Sequence, residues 1–305
     1  MKTAIALIIF KRPDTTQKVF EEIRKVKPPK LFVIADAPRK GREGEVEKCE
    51  ETRAIIDQVN WECEVYKNYS DINLGCAKRI YSGLSWVFNH VEEAIIVEDD
   101  CILDSTFFPF SEELLERYRH DNRITSISAQ NVQLGQKRTK YSYYFSRYSH
   151  CWGWATWRRA WQTFDFEMKL WEEAKCDNIL DDVFTDSLAV NYWTNIFQNT
   201  YDRSLDSWAY RWLLSCWLQS GLTIIPDVNL VSNIGFNEDA TNTQHKNNKT
   251  VEMEIESLEF PLNHPPVVVR NVQADNFAQR VAFDGGWLKQ FHGSSKKLIK
   301  KVLCL

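Results

Sequence analysis

The sequence predicts an α/β fold with a doubly wound, mostly parallel central sheet flanked by helices and joined to a smaller subregion. Three observations carry that expectation. The first hundred residues hold four short strand-like runs, TAIALIIF (3–10), LFVIADAP (31–38), WECEVYKN (61–68) and EAIIVEDD (93–100), the first of them almost wholly apolar. Segments with helical spacing separate them, and strands that are apolar on both faces are those covered by helices on both sides. Polar residues gather just after the runs end, where ligands of such sheets bind.

The elements follow in order. The first run stops at Lys11, Arg12 and Pro13, and Asp14 or Thr15 can cap a helix lasting to about Val26. The second run ends in Asp36. A charged helix is predicted over 44–59, the third strand over 61–68, a loop DINLG over 71–75 and a helix from Cys76 to His90. After the fourth strand, DSTFFPFSEELLERYRH (104–120) reads as a helix, with Pro109 near the first turn, where it is tolerated. ITSISAQNV (124–132) and TIIPDVNLVSN (223–233) have strand character, and LDSWAYRWLLSCWLQSG (205–221) reads as a helix closed by its glycine. Residues 237–250 are rich in Asn, Thr and Lys with almost no apolar content, as in a loop. No internal repeat is present.

Bulk properties exclude several classes. The 305 residues are 44% hydrophobic and carry a net charge of −4, so nothing draws the chain to nucleic acid, whose binding needs many phosphates neutralised. Eight cysteines lack CxxC or ligand-like spacing, and the opening MKTAIALIIFKRPD has an apolar run too short for a signal-peptide core. A reduced, cytoplasmic protein is the expectation. No run approaches the ~20 apolar residues of a membrane span. The basic, amphipathic tail from Ser294 onward gives a possible peripheral contact with an anionic membrane at the inner face.

Glu98, Asp99 and Asp100 are the sharpest feature. Adjacent acids at a strand end repel one another unless a cation or hydrogen-bond donors meet them. Hard oxygen ligands suit Mg²⁺ or Mn²⁺, with Mg²⁺ usually held by one or two carboxylates while phosphate oxygens and water complete the shell. Alternation along an extended chain puts Glu98 and Asp100 on one side and Asp99 on the other, with Asp100 the favoured ligand. Lys78 and Arg79, near a helix start that contains Gly75, are suited to phosphate. Solvated acids before a helix, and a solvated basic helix face, are the plain structural alternatives.

The ordered set SGLSWVFNHVEEAIIVEDDCILDSTFFPF (82–110), SHCWGWATWRRAW (149–161) and LDSWAYRW (205–212) resembles glycosyltransferases of the nucleotide-diphospho-sugar transferase, or GT-A, fold. Within that fold it is most similar to the N-acetylglucosaminyltransferase I type, whose metal motif is an EDD. The resemblance covers roughly residues 3–235. It implies a catalytic domain over 1–235, with a nucleotide-sugar-binding half (1–103) and a metal- and acceptor-side half (104–235). A polar loop and C-terminal extension follow over 236–305.

By resemblance, Phe10, Lys11, Arg12 and Asp36 surround the nucleotide base. Asn73, Gly75, Lys78 and Arg79 approach ribose or diphosphate, Glu98 and Asp99 contact ribose or donor sugar, and Asp100 binds the metal. Asp206 is the expected base, at a predicted helix start where desolvation can raise its pKa, with a helix N-cap as its plain alternative and Asp181, Asp182 and Asp202 as competitors. Trp152, Gly153 and Trp154 face the acceptor, or the tryptophans are core. His245 lies where some members add a metal ligand, though a solvated loop histidine is its plain reading. The interval carrying CDNILDDVFTDS (176–187) is longer than in the animal enzymes. The resemblance implies inverting transfer of a sugar, from UDP or another nucleotide diphosphate, to a glycan or lipid-linked saccharide in surface-glycan assembly. One rival is a nucleotidyltransferase, against which FKRPDTT lacks the expected glycine. The other is a non-catalytic glycan-binding protein on the same scaffold.

Overall fold

The computed structural model describes residues 1–235 and 253–284. The strands are β1 (Ala4–Ile9), β2 (Lys30–Ala35), β3 (Glu64–Tyr69), β4 (Glu93–Glu98), β5 (Cys101–Leu103), β6 (Ile124–Ser128), β7 (Tyr143–Ser146), β8 (Trp154–Trp157), β9 (Leu222–Pro226) and β10 (Val231–Asn233). The helices are α1 (Pro13–Val26), α2 (Glu45–Ala54), α3 (Cys76–His90), α4 (Phe107–Arg117), α5 (Arg158–Trp161), α6 (Trp171–Cys176), α7 (Ile179–Val183), α8 (Ser187–Tyr201), α9 (Trp208–Leu218) and α10 (Val272–Ala278). The polar segment with His245 and the basic tail lie outside the described residues.

Eight strands form one mixed sheet in the order β3-β2-β1-β4-β8-β6-β9-β7, and β5 and β10 form a separate antiparallel pair. The neighbours from β3 to β4 are parallel. The continuous apolar runs have the two-sided burial expected of them. Ile5, Leu7, Ile95 and Val97 face one core with Phe20 of α1 and Phe107 of α4, while Ala6, Ile8, Ala94 and Ile96 face a second with Leu84 of α3 and Trp212 of α9. Each large aliphatic side chain so buried contributes about 1.5–3 kcal/mol. The sheet is therefore wound on both faces.

The later half departs from the sequence reading. The run expected over 223–233 is two strands in two sheets, because Pro226 has no N–H for a longer ladder and Asp227 turns away, its N–H donating to Ser142 O at 3.0 Å. The tryptophan-rich segment contains β8, which pairs antiparallel with β4 on one side and β6 on the other. Helix α8 forms on poor helix formers because Trp193 and Phe197 are buried in a third aromatic core and Asp186 caps its start, accepting from Leu188 N at 3.0 Å. Residues 253–284 pack back on the body: Leu258 and Leu262 join the first core, and Asp275 accepts from Ser146 Oγ at 2.6 Å. No helix among the described residues is long and apolar enough to cross a membrane.

Candidate active site

From β1 the chain winds outward to β2 and β3, then returns to place β4 on the other side of β1. The crevice at such a reversal is where open α/β sheets bind ligands. Ile8 pairs with Glu98, so Phe10–Arg12 and Glu98–Asp100 leave the sheet side by side. The Phe10 N–H donates to Asp99 Oδ2 at 3.2 Å. The Arg12 guanidinium donates to Asp99 and forms an ion pair with Asp100 Oδ2 at 2.9 Å. Burial works against the Arg12 charge, but Asp99 and Asp100 outweigh it and hold the group above its ordinary pKa. Burial raises the Asp99 carboxyl, with Arg12 opposing.

Glu98 is different. It is half-buried, and its side chain has no hydrogen-bond or ion-pair partner among the described residues. Burial, then the charges of Asp100 and Asp99, push its pKa up. One guanidinium thus serves two of three acids, and the side chain of the third is left without a partner among the described residues. Gly235 closes over them: a methyl group there would stand 2.2 Å from Asp100 Oδ2 and 2.6 Å from an Arg12 nitrogen, so any side chain would force the Arg12–Asp100 pair to shift. The Ile234 N–H donates to Asp100 O at 2.8 Å.

The wall from β2 and α3 is only partly as expected. Asp36 is buried and accepts from Ala37, Leu74 and Gly75 N–H groups at 3.0–3.1 Å, so its carboxylate holds the 73–75 loop. Burial raises its pKa while those donors oppose. Asn73 donates to Ala37 O at 2.6 Å. Arg79, expected at the diphosphate, instead turns inward to Ala35 O, Asn68 and Ser82, because the ends of β2 and β3 leave carbonyls that need donors. Lys78, one residue earlier, is exposed on the first turn of α3 with no ion pair among the described residues. Lys11 pairs with Glu45 at 3.2 Å.

The tryptophan segment divides as well. Trp154 is a core residue of β8, stacked on Trp208 at 5.5 Å and 24° and flanked by Trp161 and Trp212, which corrects its expected place at the acceptor. Gly153 has φ of +62°, and a methyl group there would meet Leu103 at 2.3 Å, so the glycine serves close backbone packing. Trp152 is half-buried. The pairing of Ile96 with Trp154 carries residues 150–152 to the end of β4. Glu98 is accordingly the second cause, after burial, of the raised Cys151 thiol pKa.

Asp206 approaches from α9. Its Oδ2 stands 3.5 Å from where a Gly75 side chain would begin, which brings it to the first turn of α3. Ser207, not Asp206, caps α9, its side chain accepting from Tyr210 N at 3.4 Å. The Asp206 carboxylate is exposed, contrary to the desolvated setting expected for it, and is not used for capping.

Sequence reasoning missed Glu45. It looked like one charge on a solvated helix, yet it is buried, accepts from the Arg39 backbone N–H at 2.7 Å and pairs with the Arg39 and Lys11 side chains. The Arg39 hydrogen bond leads in lowering its pKa to about 2. Gly235 was equally unmarked, and no local signal singles it out.

No set of three or more His, Cys, Asp or Glu side chains among the described residues converges as a metal cage. A divalent cation at this crevice would rest on Asp100 and Glu98, with phosphate oxygens supplying the rest of the shell. The unpartnered Glu98 fits that arrangement.

No protein-family model matches the chain, and no curated protein matches it. Among solved structures, mouse xyloside xylosyltransferase 1 is similar at 8% identity and a TM-score of 0.36, covering 70% of this chain and 81% of that one. The 4-diphosphocytidyl-2C-methyl-D-erythritol synthase of Anaerococcus prevotii is similar at 8% identity and 0.33, covering 55% and 77%. The UDP-glucose pyrophosphorylase of Acinetobacter baumanii is similar at 9% identity and 0.32, covering 53% and 78%.

Proposed function

We propose that this protein is a metal-dependent glycosyltransferase of the GT-A type that moves a sugar from a nucleotide-diphosphate donor to a hydroxyl acceptor. One observation carries the reading: of three adjacent acids at the switch point, Asp99 and Asp100 share one guanidinium, and the half-buried Glu98 has no side-chain partner among the described residues. A divalent cation arriving with the nucleotide diphosphate would supply positive charge between these carboxylates and the phosphates. Exposed Lys78 offers a second charge to the diphosphate.

Asp100 and Glu98 would hold Mn²⁺ or Mg²⁺, which neutralises charge on the departing diphosphate. Arg12 pairs with Asp99 and Asp100 and orients them. Asp206 takes the proton of the acceptor hydroxyl as its oxygen attacks the anomeric carbon, the bond to the diphosphate oxygen breaks, and the nucleoside diphosphate leaves. The displacement inverts the anomeric centre. The acceptor is a glycan or a lipid-linked saccharide, and the setting is surface-glycan assembly at the inner face of the membrane.

The test is incubation with UDP-, GDP-, CMP- and dTDP-sugars, with Mn²⁺, Mg²⁺ or chelator, beside Asp100→Ala. Metal-dependent release of one nucleotide, absent in the variant, is the expected result. A nucleotidyltransferase would instead consume a sugar phosphate and nucleoside triphosphate and release pyrophosphate. A panel with neither product and no metal-dependent nucleotide binding would overturn the enzyme reading.

A further inference from the structure

The chain that returns past the edge of the large sheet carries an exposed apolar run. Strand β7 is the last strand of that sheet, and residues 265–269 pass beside it. Both ends of the run are tied down: the Ser142 N–H donates to Asn263 O at 2.8 Å, and the Asn271 N–H donates to Phe145 O at 2.8 Å. Between those anchors the β7 side advances three residues, about 10 Å, whereas the returning chain takes eight, enough for about 26 Å when extended. The surplus bows the run outward.

Its side chains alternate. Val268 is half-buried and packs against the first core, while Val267 is 63% exposed, Val269 66% and, a little further on, Val272 47%. Val269 is the most exposed large apolar side chain among the described residues. Apolar side chains clustered on an outward bow, rather than scattered singly, mark a contact surface.

The charges around the run identify the partner. Arg117 and Arg123 line the hollow between it and the end of α4, and Arg270 and Tyr141 line the hollow against β7. The acids there are already engaged: Asp121 by Arg123 at 2.6 Å, Asp275 by Arg147 and Arg270 at 3.3 and 3.6 Å, and Glu113 by His264 at 2.9 Å. Exposed Arg117 and Lys140 lie over the Tyr118 and Tyr141 rings at 5.8 and 5.4 Å, and neither forms an ion pair among the described residues. An apolar projection between free cations is complementary to an anionic bilayer, where each nearby Lys or Arg contributes about 1 kcal/mol. A second copy of the chain matches it poorly, because a two-fold contact brings together two patches of the same sign. Pro265 and Pro266 also lack the N–H groups that would extend the sheet across such a contact. The chain's own C-terminal segment is no better a cover, since from residue 285 onward it has five lysines and no acid.

We propose that residues 265–269, with Val272, form a docking surface for an anionic lipid bilayer. Val267, Val269 and Val272 enter the boundary between headgroups and acyl chains, and Arg117 and Lys140 meet lipid phosphates. The surface is distinct from the basic tail, and it stands whether or not the chain transfers sugar.

The experiment is co-sedimentation of the full chain with vesicles of equal parts phosphatidylcholine and phosphatidylglycerol, and with vesicles of phosphatidylcholine alone. Wild type is compared with Val267→Ser/Val269→Ser, Arg117→Gln/Lys140→Gln, Val267→Trp and Leu170→Ser, the last an exposed apolar side chain outside the run. All the substituted side chains are exposed, so melting temperatures should match wild type. Wild type should bind the mixed vesicles and not phosphatidylcholine alone. The serine pair should lose roughly tenfold in affinity, and the glutamine pair roughly tenfold with a shallower salt dependence. Val267→Trp should bind more tightly, and Leu170→Ser should bind as wild type does. No binding to the mixed vesicles overturns the proposal. Equal binding by wild type and the serine pair overturns it too, and moves the contact to the basic tail. A wild-type dimer in sedimentation velocity that the serine pair dissociates overturns it in favour of a second copy.

Discussion

Replacing Arg12 by Met should destabilise the protein by about 3–5 kcal/mol, the usual cost of leaving a buried charge pair without its partner. The Arg12 side chain is largely buried, and it faces Asp99, which is almost wholly so, and Asp100. At the 2.9 Å separation from Asp100 and an effective dielectric of about 20, the gross attraction is roughly 6 kcal/mol. Desolvation of the guanidinium offsets part of that, which is why the lower range is adopted. In the variant three acids share the crevice with no cation from Arg12. For a chain longer than 250 residues each kcal/mol moves the midpoint by about 2 °C, so a drop of roughly 6–10 °C is expected. Thermal and urea unfolding measure it, and Arg12→Lys should recover part of the loss. Millimolar Mn²⁺ should stabilise the Met variant by mass action, because the cation binds the folded cluster and not the unfolded chain. A midpoint within 2 °C of wild type would refute the claim that this guanidinium holds the acids together.

Trp154→Ala should cost about 3–5 kcal/mol of stability in urea unfolding, whereas half-buried Trp152→Ala should cost less than half of that. Arg79→Ala should destabilise by at least 2 kcal/mol by stranding the Ala35 and Asn68 carbonyls, while Lys78→Ala should leave the melting temperature unchanged and weaken nucleotide-sugar binding with a smaller salt dependence. Asp206→Asn should retain nucleotide binding by calorimetry and lose transfer at least a hundredfold. For Glu45, the folded pKa near 2 lies below the ordinary carboxylate value, so its contribution is full above about pH 4.5 and is lost as pH falls toward 2. Urea midpoints at pH 5 and pH 3 should therefore converge in Glu45→Gln relative to wild type.

The first half of the fold was legible because its physics is local. Apolar runs such as AIALII and EAIIVE are strands buried on both faces, and the residues after them fall at the switch point whatever their partners. The second half depends on contacts distant in sequence. Nothing local says that WATW is a strand lying between β4 and β6, and α8 owes its helicity to Trp193 and Phe197 rather than to propensity. The same limit governs the site. Residue type and strand end place Arg12, Glu98, Asp99 and Asp100 together, but which way a helix turns its side chains separates Lys78 from Arg79. Chain returning from position 235 over Asp100 leaves no mark in the local sequence.

The position of β8 has a consequence for synthesis. Strand β4 is complete by residue 98, yet the strand that covers its open edge ends at residue 157, roughly 60 residues later. At ribosomal rates of about 5–20 residues per second, the nascent chain carries AIIV as an unpaired edge for ~3–12 s. Such an edge invites pairing with another chain, and the acids that terminate it put like charge at the point where a second copy would dock in parallel. Glu98, Asp99 and Asp100 thus give the end of that edge the kind of charged flank that disfavours pairing with a second chain.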